Sequence, residues 1–199
     1  MDPRPDNVAL LEKLVAALKA RGIVTEEEIA LRQTIAERAN PETGARMVAR
    51  AWVDPEWRAF LLRDGTAAAE SMGVSMRGNP PLGVLEDTAS VHHLVVCTLC
   101  SCYPRAIIGY PPHWYKSSAY RSRAVREPRA VLAEFGTVLP AGIQVRVVDS
   151  TADYRWMVLP LRPAGTEGWS EEQLTAIVSR DHLVGVSLPN AAQKASRAA

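Results

Sequence analysis

The chain holds three cysteines, and Cys97, Cys100 and Cys102 stand almost side by side. An odd, clustered set cannot staple distant segments, so no disulfide framework supports the fold and a hydrophobic core must do so. Thiols this close in a reducing compartment read first as metal ligands or a redox site. Cys97 and Cys100 have the usual spacing for two thiolates on one metal, and Cys102 follows two residues later. All three sulfurs can converge only if the backbone curls tightly around one point. The segment Val95-Val96-Cys97-Thr98-Leu99-Cys100-Ser101-Cys102-Tyr103-Pro104 follows an apolar run, which places the curl in a loop at a strand end.

A core large enough to carry such a loop is available. Of the 199 residues, 47% are hydrophobic and 23% charged, the mix of an ordinary globular protein. The net charge of +1 argues against nucleic acid or an anionic membrane surface as partner. No apolar run is long enough to span a bilayer. The start, Met1-Asp2-Pro3-Arg4-Pro5-Asp6, lacks a basic stretch followed by an apolar one, so the expected location is the cytoplasm.

The fold class expected is α+β: a helical N-terminal arm over residues 1–72, a layered α/β metal-binding domain over 73–190, and a flexible tail over 191–199. Asp6 can cap a first helix with Leu11, Leu14, Val15 and Leu18 on one face, and Gly22 stops it. Thr25 and Glu28 form a capping box for a second helix, running to about Asn40-Pro41. A third covers Glu42 to Ala51. Asp54-Pro55 opens a fourth through Trp57, Leu61 and Leu62, interrupted by Gly65 before Ala67 to Met72. The glycines and prolines from Gly73 to Gly83 mark a loop and boundary. Strands are expected at Val84 to Glu86 and Leu94 to Val96. Ile143 to Val148 alternates, with Gln144 and Arg146 outward, and Tyr154 to Leu159 is its expected partner. Helices are expected from Trp114 to Arg126, from Pro128 to Phe135, and after the Ser170–Gln173 capping box. Leu183 to Val186 is a candidate last strand.

The chemistry of the cysteine loop admits more than one metal. In the tight curl the amide nitrogens of Ser101 and Cys102 lie between two sulfurs. Deprotonated, they are strong-field anionic ligands. Two amide nitrogens and two sulfurs then form a plane, a third sulfur takes one axial position, and the other axial position stays open. That set suits low-spin trivalent cobalt or iron better than zinc, which favours a tetrahedron. A structural zinc site remains an alternative, with His92 or His93 as fourth ligand, and would make the chain a zinc-stabilised interaction module. A Cys97–Cys100 redox disulfide is a weaker rival, because the βαβ setting of thioredoxin-like motifs is missing.

The run CTLCSC, followed by Tyr103-Pro104 and then by Pro111-Pro112-His113-Trp114-Tyr115-Lys116-Ser117, resembles the alpha subunits of nitrile hydratases. The resemblance continues through Tyr120-Arg121-Ser122-Arg123, Val125-Arg126-Glu127-Pro128-Arg129, and the stretch from Arg162 to Ser170, and reaches Arg180-Asp181 before Leu183-Val184-Gly185-Val186. It implies that Cys97, Cys100, Ser101 and Cys102 hold the metal. Cys97 would be the axial thiolate, Cys100 a sulfinate and Cys102 a sulfenate, while Ser101 and Cys102 give their amides. Threonine after the first cysteine marks the cobalt type in that family, so Thr98 points to cobalt(III) before iron(III). The implied reaction is hydration of a nitrile to the amide on a Lewis-acidic ion. Cys102, through its sulfenate oxygen, and Ser101, through its hydroxyl, are the catalytic candidates.

The resemblance also implies partners: a nitrile hydratase beta subunit or split beta-like chains, whose arginines hydrogen-bond the oxidised sulfurs, a small-molecule nitrile, and a metallochaperone. Arg105, Trp114 and Tyr115 are the candidates for the substrate pocket, with core packing the competing reading for the two aromatics. Arg121, Arg123, Arg126 and Arg129 divide between contacts around the site and a solvated helix face. One departure bears on substrate. Arg105 stands where nitrile hydratases usually carry tryptophan, and the related thiocyanate hydrolase can show arginine there. The metal subunit of a thiocyanate hydrolase is therefore the alternative. Asn79 likewise falls in a loop that lacks the glutamine expected near the substrate.

Overall fold

The computed structural model describes residues 5–38 and 40–194. Its contacts divide the chain into two units, Met1–Arg38 and Ala39–Ala199. The first holds α1 (Pro5–Ala20) and α2 (Glu26–Arg38). Asp6 lies within the first turn of α1, not before it, and its side chain is outside the described residues. Gly22, at φ 64°, ends the first helix, and the Thr25–Glu28 capping box opens the second: Thr25 N–H donates to Glu28 Oε2 at 2.8 Å and Glu28 N–H to Thr25 Oγ1 at 3.1 Å. Leu10, Leu11 and Leu14 are exposed.

The second unit starts with α3 (Glu42–Val53), α4 (Pro55–Arg63) and α5 (Gly65–Ser71). Asp54 and Asp64 cap the last two, accepting from the amides of Trp57 and Ala67 at 2.9 Å. Met47, Val48, Trp57, Leu61 and Ala68 are buried in the same cluster as the strands. These three helices thus belong with the main body, whereas the sequence boundary was drawn after residue 72. The tail expected from 191 begins as a 3-10 turn, Ala191–Lys194, and its last five residues lie outside the described part.

Among the described residues four strands form two parallel pairs. β1 (Leu82–Glu86) pairs with β4 (Arg155–Leu159), and β2 (Val91–Val96) with β3 (Gln144–Asp149). The expected pairing of β3 with β4 is therefore incorrect. The four helices α6 (Arg105–Ile108), α7 (His113–Lys116), α8 (Ser118–Arg126) and α9 (Pro128–Glu134) fill the long crossover that a parallel β2–β3 pair requires. The short link after β3 instead carries the chain from one pair to the other: Ser150 N–H donates to Val96 O at 2.7 Å, and Ser150 Oγ accepts from Trp156 N–H at 3.2 Å.

Two other expectations change. Trp114 to Arg126 is not one helix. Ser117 turns extended at ψ 143° and caps α8, accepting from Tyr120 N–H at 3.1 Å. Leu183 to Val186 is not a strand. α11 (Arg180–Val184) runs into Gly185 at φ 85°, a left-handed cap that sits on the end of the helix. The Ser170–Gln173 capping box opens α10 (Glu171–Thr175) as expected. Among the described residues no helix is long and apolar enough to cross a membrane.

Candidate metal centre

Parallel strands deliver their loops to one end, and there the cysteines lie. β2 ends at Val96, and Cys97 begins a tight loop over the carboxyl ends of β2 and β3. The Sγ atoms of Cys97 and Cys100 are 3.6 Å apart, those of Cys100 and Cys102 are 3.3 Å apart, and the three form one group within 4.8 Å. None is in a disulfide. Cys97 and Cys102 are buried, while Cys100 faces outward.

The amides complete the inside of the curl. Cys100 N–H donates to Cys97 Sγ at 3.3 Å. Hydrogen bonds from the Cys102 thiol, the Ser101 amide and the Cys97 thiol lower the Cys100 thiol from its ordinary range. Burial, together with hydrogen bonds to Cys100 and Cys97, pushes Cys102 up to about 12. The amides of Ser101 and Cys102 add to the lowering of Cys100.

The donor set offers three sulfurs to one ion. Two sulfurs each about 2.3 Å from a metal lie about 3.3 Å apart at a right angle and about 3.8 Å apart in a tetrahedron. The Cys100–Cys102 spacing takes the first value, and the 3.6 Å Cys97–Cys100 spacing lies nearer the second. No histidine joins the group among the described residues. His92 Nδ1 lies 2.8 Å from Asp87 Oδ2 and its Nε2 lies 2.8 Å from Gly185 O; His93 Nδ1 lies 3.1 Å from Asp87 Oδ1. The ring nitrogens of His92 thus face the Asp87 carboxylate and the Gly185 carbonyl, not the cysteines. Neither histidine is placed as a fourth ligand.

A frame of neighbours fixes the loop. Asp149, the last residue of β3, accepts from Thr98 N–H at 3.1 Å and from Thr98 Oγ1 at 2.5 Å. Arg121 on α8 donates to Leu99 O at 2.8 Å. Beneath it, Tyr115 OH donates to Cys102 O at 2.9 Å and Tyr120 OH to Val95 O at 2.7 Å.

The sequence model for the nitrile hydratase alpha chain matches residues 6–187. This chain belongs to that family. It is 48% identical over 188 residues to the low-molecular-weight cobalt-containing nitrile hydratase alpha subunit of Rhodococcus rhodochrous, covering 94% of this chain and 91% of that one. It is 44% identical to the gamma subunit of the Thiobacillus thioparus thiocyanate hydrolase, over 90% of this chain and 79% of that one. A solved double mutant of the Fe-type nitrile hydratase from Comamonas testosteroni Ni1 superposes with a TM-score of 0.89 at 42% identity, covering 96% of this chain and 94% of that one.

The pocket candidates of this nitrile hydratase family member separate. Arg105 lines a cleft beside the cysteine loop with Tyr103, Asn79 and Arg155. Trp114 and Tyr115 instead pack inside: Trp114 meets Tyr115, Tyr120 and Phe135 edge-on at 5.9, 4.9 and 4.7 Å, and Tyr115 is fully buried. Of the four arginines, Arg121 reaches the loop. Arg123 pairs with Glu127 and Glu134, Arg126 reaches Ser122, and Arg129 donates to carbonyls of Leu139 and Ile143. Asp149, Arg155 and Asp87 were not singled out from sequence. Asp149 is found only once β3 is paired to β2 in parallel, which puts its last residue beside Cys97-Thr98.

Proposed function

We propose that this chain is the metal-holding subunit of a cobalt nitrile hydratase, converting a nitrile and water to the amide. The convergence of three cysteine sulfurs carries this reading. Thr98 and the cobalt-containing R. rhodochrous relative favour cobalt(III). The Fe-type neighbour keeps iron(III) as the alternative. When bound, the trivalent ion supplies a Lewis acid for the nitrile. Cys97, Cys100 and Cys102 hold it through sulfur, and Ser101 and Cys102 through amide nitrogen. Cys102, as a sulfenate, would offer an oxygen that takes a proton from the water adding to the nitrile carbon, and the proton ends on the nitrile nitrogen as the amide forms. Ser101 passes that proton through its hydroxyl. Asp149, Arg121 and Tyr115 keep the loop in register for these roles.

Leu99 is 88% exposed at the loop tip, and a beta subunit is the partner that covers it and adds its arginines to the site. A metallochaperone delivers the ion, and the complex works in the cytoplasm. A second reading, the metal subunit of a thiocyanate hydrolase, is favoured by Arg105 in the cleft and by the T. thioparus relative. Turnover by the complex of this chain with its partner separates the two. Amide from nitriles, abolished by Cys102→Ser, supports the hydratase. Activity on thiocyanate with none on nitriles replaces it with the second reading.

A further inference from the structure

Ser150 follows the last residue of β3 and has no exposed surface, a costly place for a serine unless its polar groups are paired. Its N–H donates to Val96 O at 2.7 Å, and Val96 is the residue before Cys97. Its Oγ accepts from Trp156 N–H of β4 at 3.2 Å. Its own hydroxyl proton goes to the Tyr115 oxygen. Tyr115 OH in turn donates to Cys102 O at 2.9 Å. Ser150 therefore holds the chain before the first cysteine directly, and the last cysteine through one tyrosine.

The Tyr115 ring is fixed in place. It is fully buried, meets Tyr103 edge-on at 4.9 Å and lies tilted against Tyr120 at 5.6 Å. Burial keeps its hydroxyl protonated, well above the usual phenol range, so it stays a donor. The bonds from Trp156 N–H to Cys102 O run donor to acceptor in one direction, and each polarises the next. They also link the two strand pairs, since Trp156 lies in β4 and Ser150 directly follows β3. Asp149 and Arg121 act on the middle of the cysteine loop, at Thr98 and Leu99. Ser150 acts on its two ends.

We propose that Ser150 is a positioning residue for the metal centre, which sets the separation of Cys97 and Cys102 by holding Val96 and, through Tyr115, the Cys102 carbonyl. The proposal rests on reading the loop as a metal site. Cys97 and Cys102 are the first and last sulfurs of the group, so the span between the loop's ends decides whether both reach one ion without bending the backbone. Groups that touch a ligand residue and not the ion change metal affinity or activity by roughly 10- to 100-fold on removal.

The test uses the chain with its partner subunit, loaded in cobalt-supplemented medium. Cobalt content, the visible sulfur-to-cobalt absorption band, kcat and KM for a small neutral nitrile, and the denaturant midpoint are measured. The variants are Ser150→Ala, Ser150→Thr, Tyr115→Phe and the Ser150→Ala/Tyr115→Phe double variant. Thr137→Val is the control, because it removes a buried hydroxyl bonded to Val186 O, outside the loop. Ser150→Ala is expected to lower kcat roughly 10-fold with KM little changed, and to shift the band. Tyr115→Phe does the same, and the double variant is no worse than the poorer single, since both break one chain of bonds. Ser150→Thr keeps the hydroxyl and restores the band in part. Thr137→Val loses stability with the band and kcat unmoved. The proposal is overturned if the losses of the two single variants multiply in the double, or if Ser150→Ala shifts the band no more than Thr137→Val does. Should Ser150→Ala not fold, Tyr115→Phe decides alone, because it leaves the Ser150–Trp156 bond in place: an unmoved band overturns the proposal. Zinc in place of cobalt in the unmodified complex removes the hydratase reading. Zinc affinity then replaces the band, and a loss shared by Ser150→Ala and Tyr115→Phe and absent from Thr137→Val supports the proposal, while unchanged affinity overturns it.

Discussion

Asp149 and Tyr115 show how single side chains set the cysteine loop. Asp149 takes two hydrogen bonds from Thr98, the residue inside the curl. Groups that orient a ligand loop typically change metal affinity 10- to 100-fold on removal. Asp149→Ala should therefore lower metal affinity by roughly 10-fold, with little change in the thermal midpoint, because the site is exposed. A chelator competition on the loaded complex measures it. Tyr115→Phe removes the bond to the Cys102 carbonyl inside the core and leaves that oxygen unpaired. The expected cost is about 1–3 kcal/mol, read from the denaturant midpoint at constant slope.

The contact between β2 and the end of α11 works as an element. Gly185 accepts His92 Nε2 through its carbonyl, and a Cβ built on it would lie 2.0 Å from His93 O. Gly185→Ala meets both a left-handed φ and a backbone collision, so it should destabilise by on the order of 3 kcal/mol. Gly78→Ala shares the positive φ but faces open space, and should cost about 1 kcal/mol. Thermal unfolding of the two variants separates strain from collision. The same element predicts a pH profile. Burial alone would raise Asp87, but hydrogen bonds from His92 and His93 and the charge of His92 bring it below its ordinary 3.8. Burial alone would lower His92, but Asp87 raises it above its ordinary 6.5. A lowered acid stabilises above its ordinary value and loses that stability as pH falls through the folded value; a raised histidine stabilises below its ordinary value and loses it as pH rises through the folded one. The pair's contribution is therefore full between 3.8 and 6.5 and declines on either side. Thermal midpoints measured from below 3.8 to above 6.5, compared with Asp87→Asn, should show both slopes flattened in the variant.

At the scale of the whole molecule, local signals were legible and long-range ones were not. The caps at Thr25, Asp54 and Ser170 read directly because a cap and its partner are three residues apart. The sulfur cluster read for the same reason. The β3–β4 pairing failed because two nearby alternating runs look like a hairpin, and nothing local states that each strand is claimed by a distant parallel partner. Asp149 and Arg155 stayed hidden for that reason, since one reaches the cysteine loop only through the β2–β3 pair and the other reaches the cleft beside it only through the β1–β4 pair. Trp114 and Tyr115 read equally well as pocket or core, and only packing decides between them. The claim that matters most for the whole assembly is that the loop holds one trivalent ion on oxidised sulfur. Metal content and intact mass of the chain, co-expressed with its partner subunit in cobalt-supplemented medium, test it most directly. The account predicts about one cobalt per chain, as one three-sulfur group can hold, and a mass gain of three oxygens on the Cys100–Cys102 peptide. Zinc bound to unmodified cysteines would contradict it.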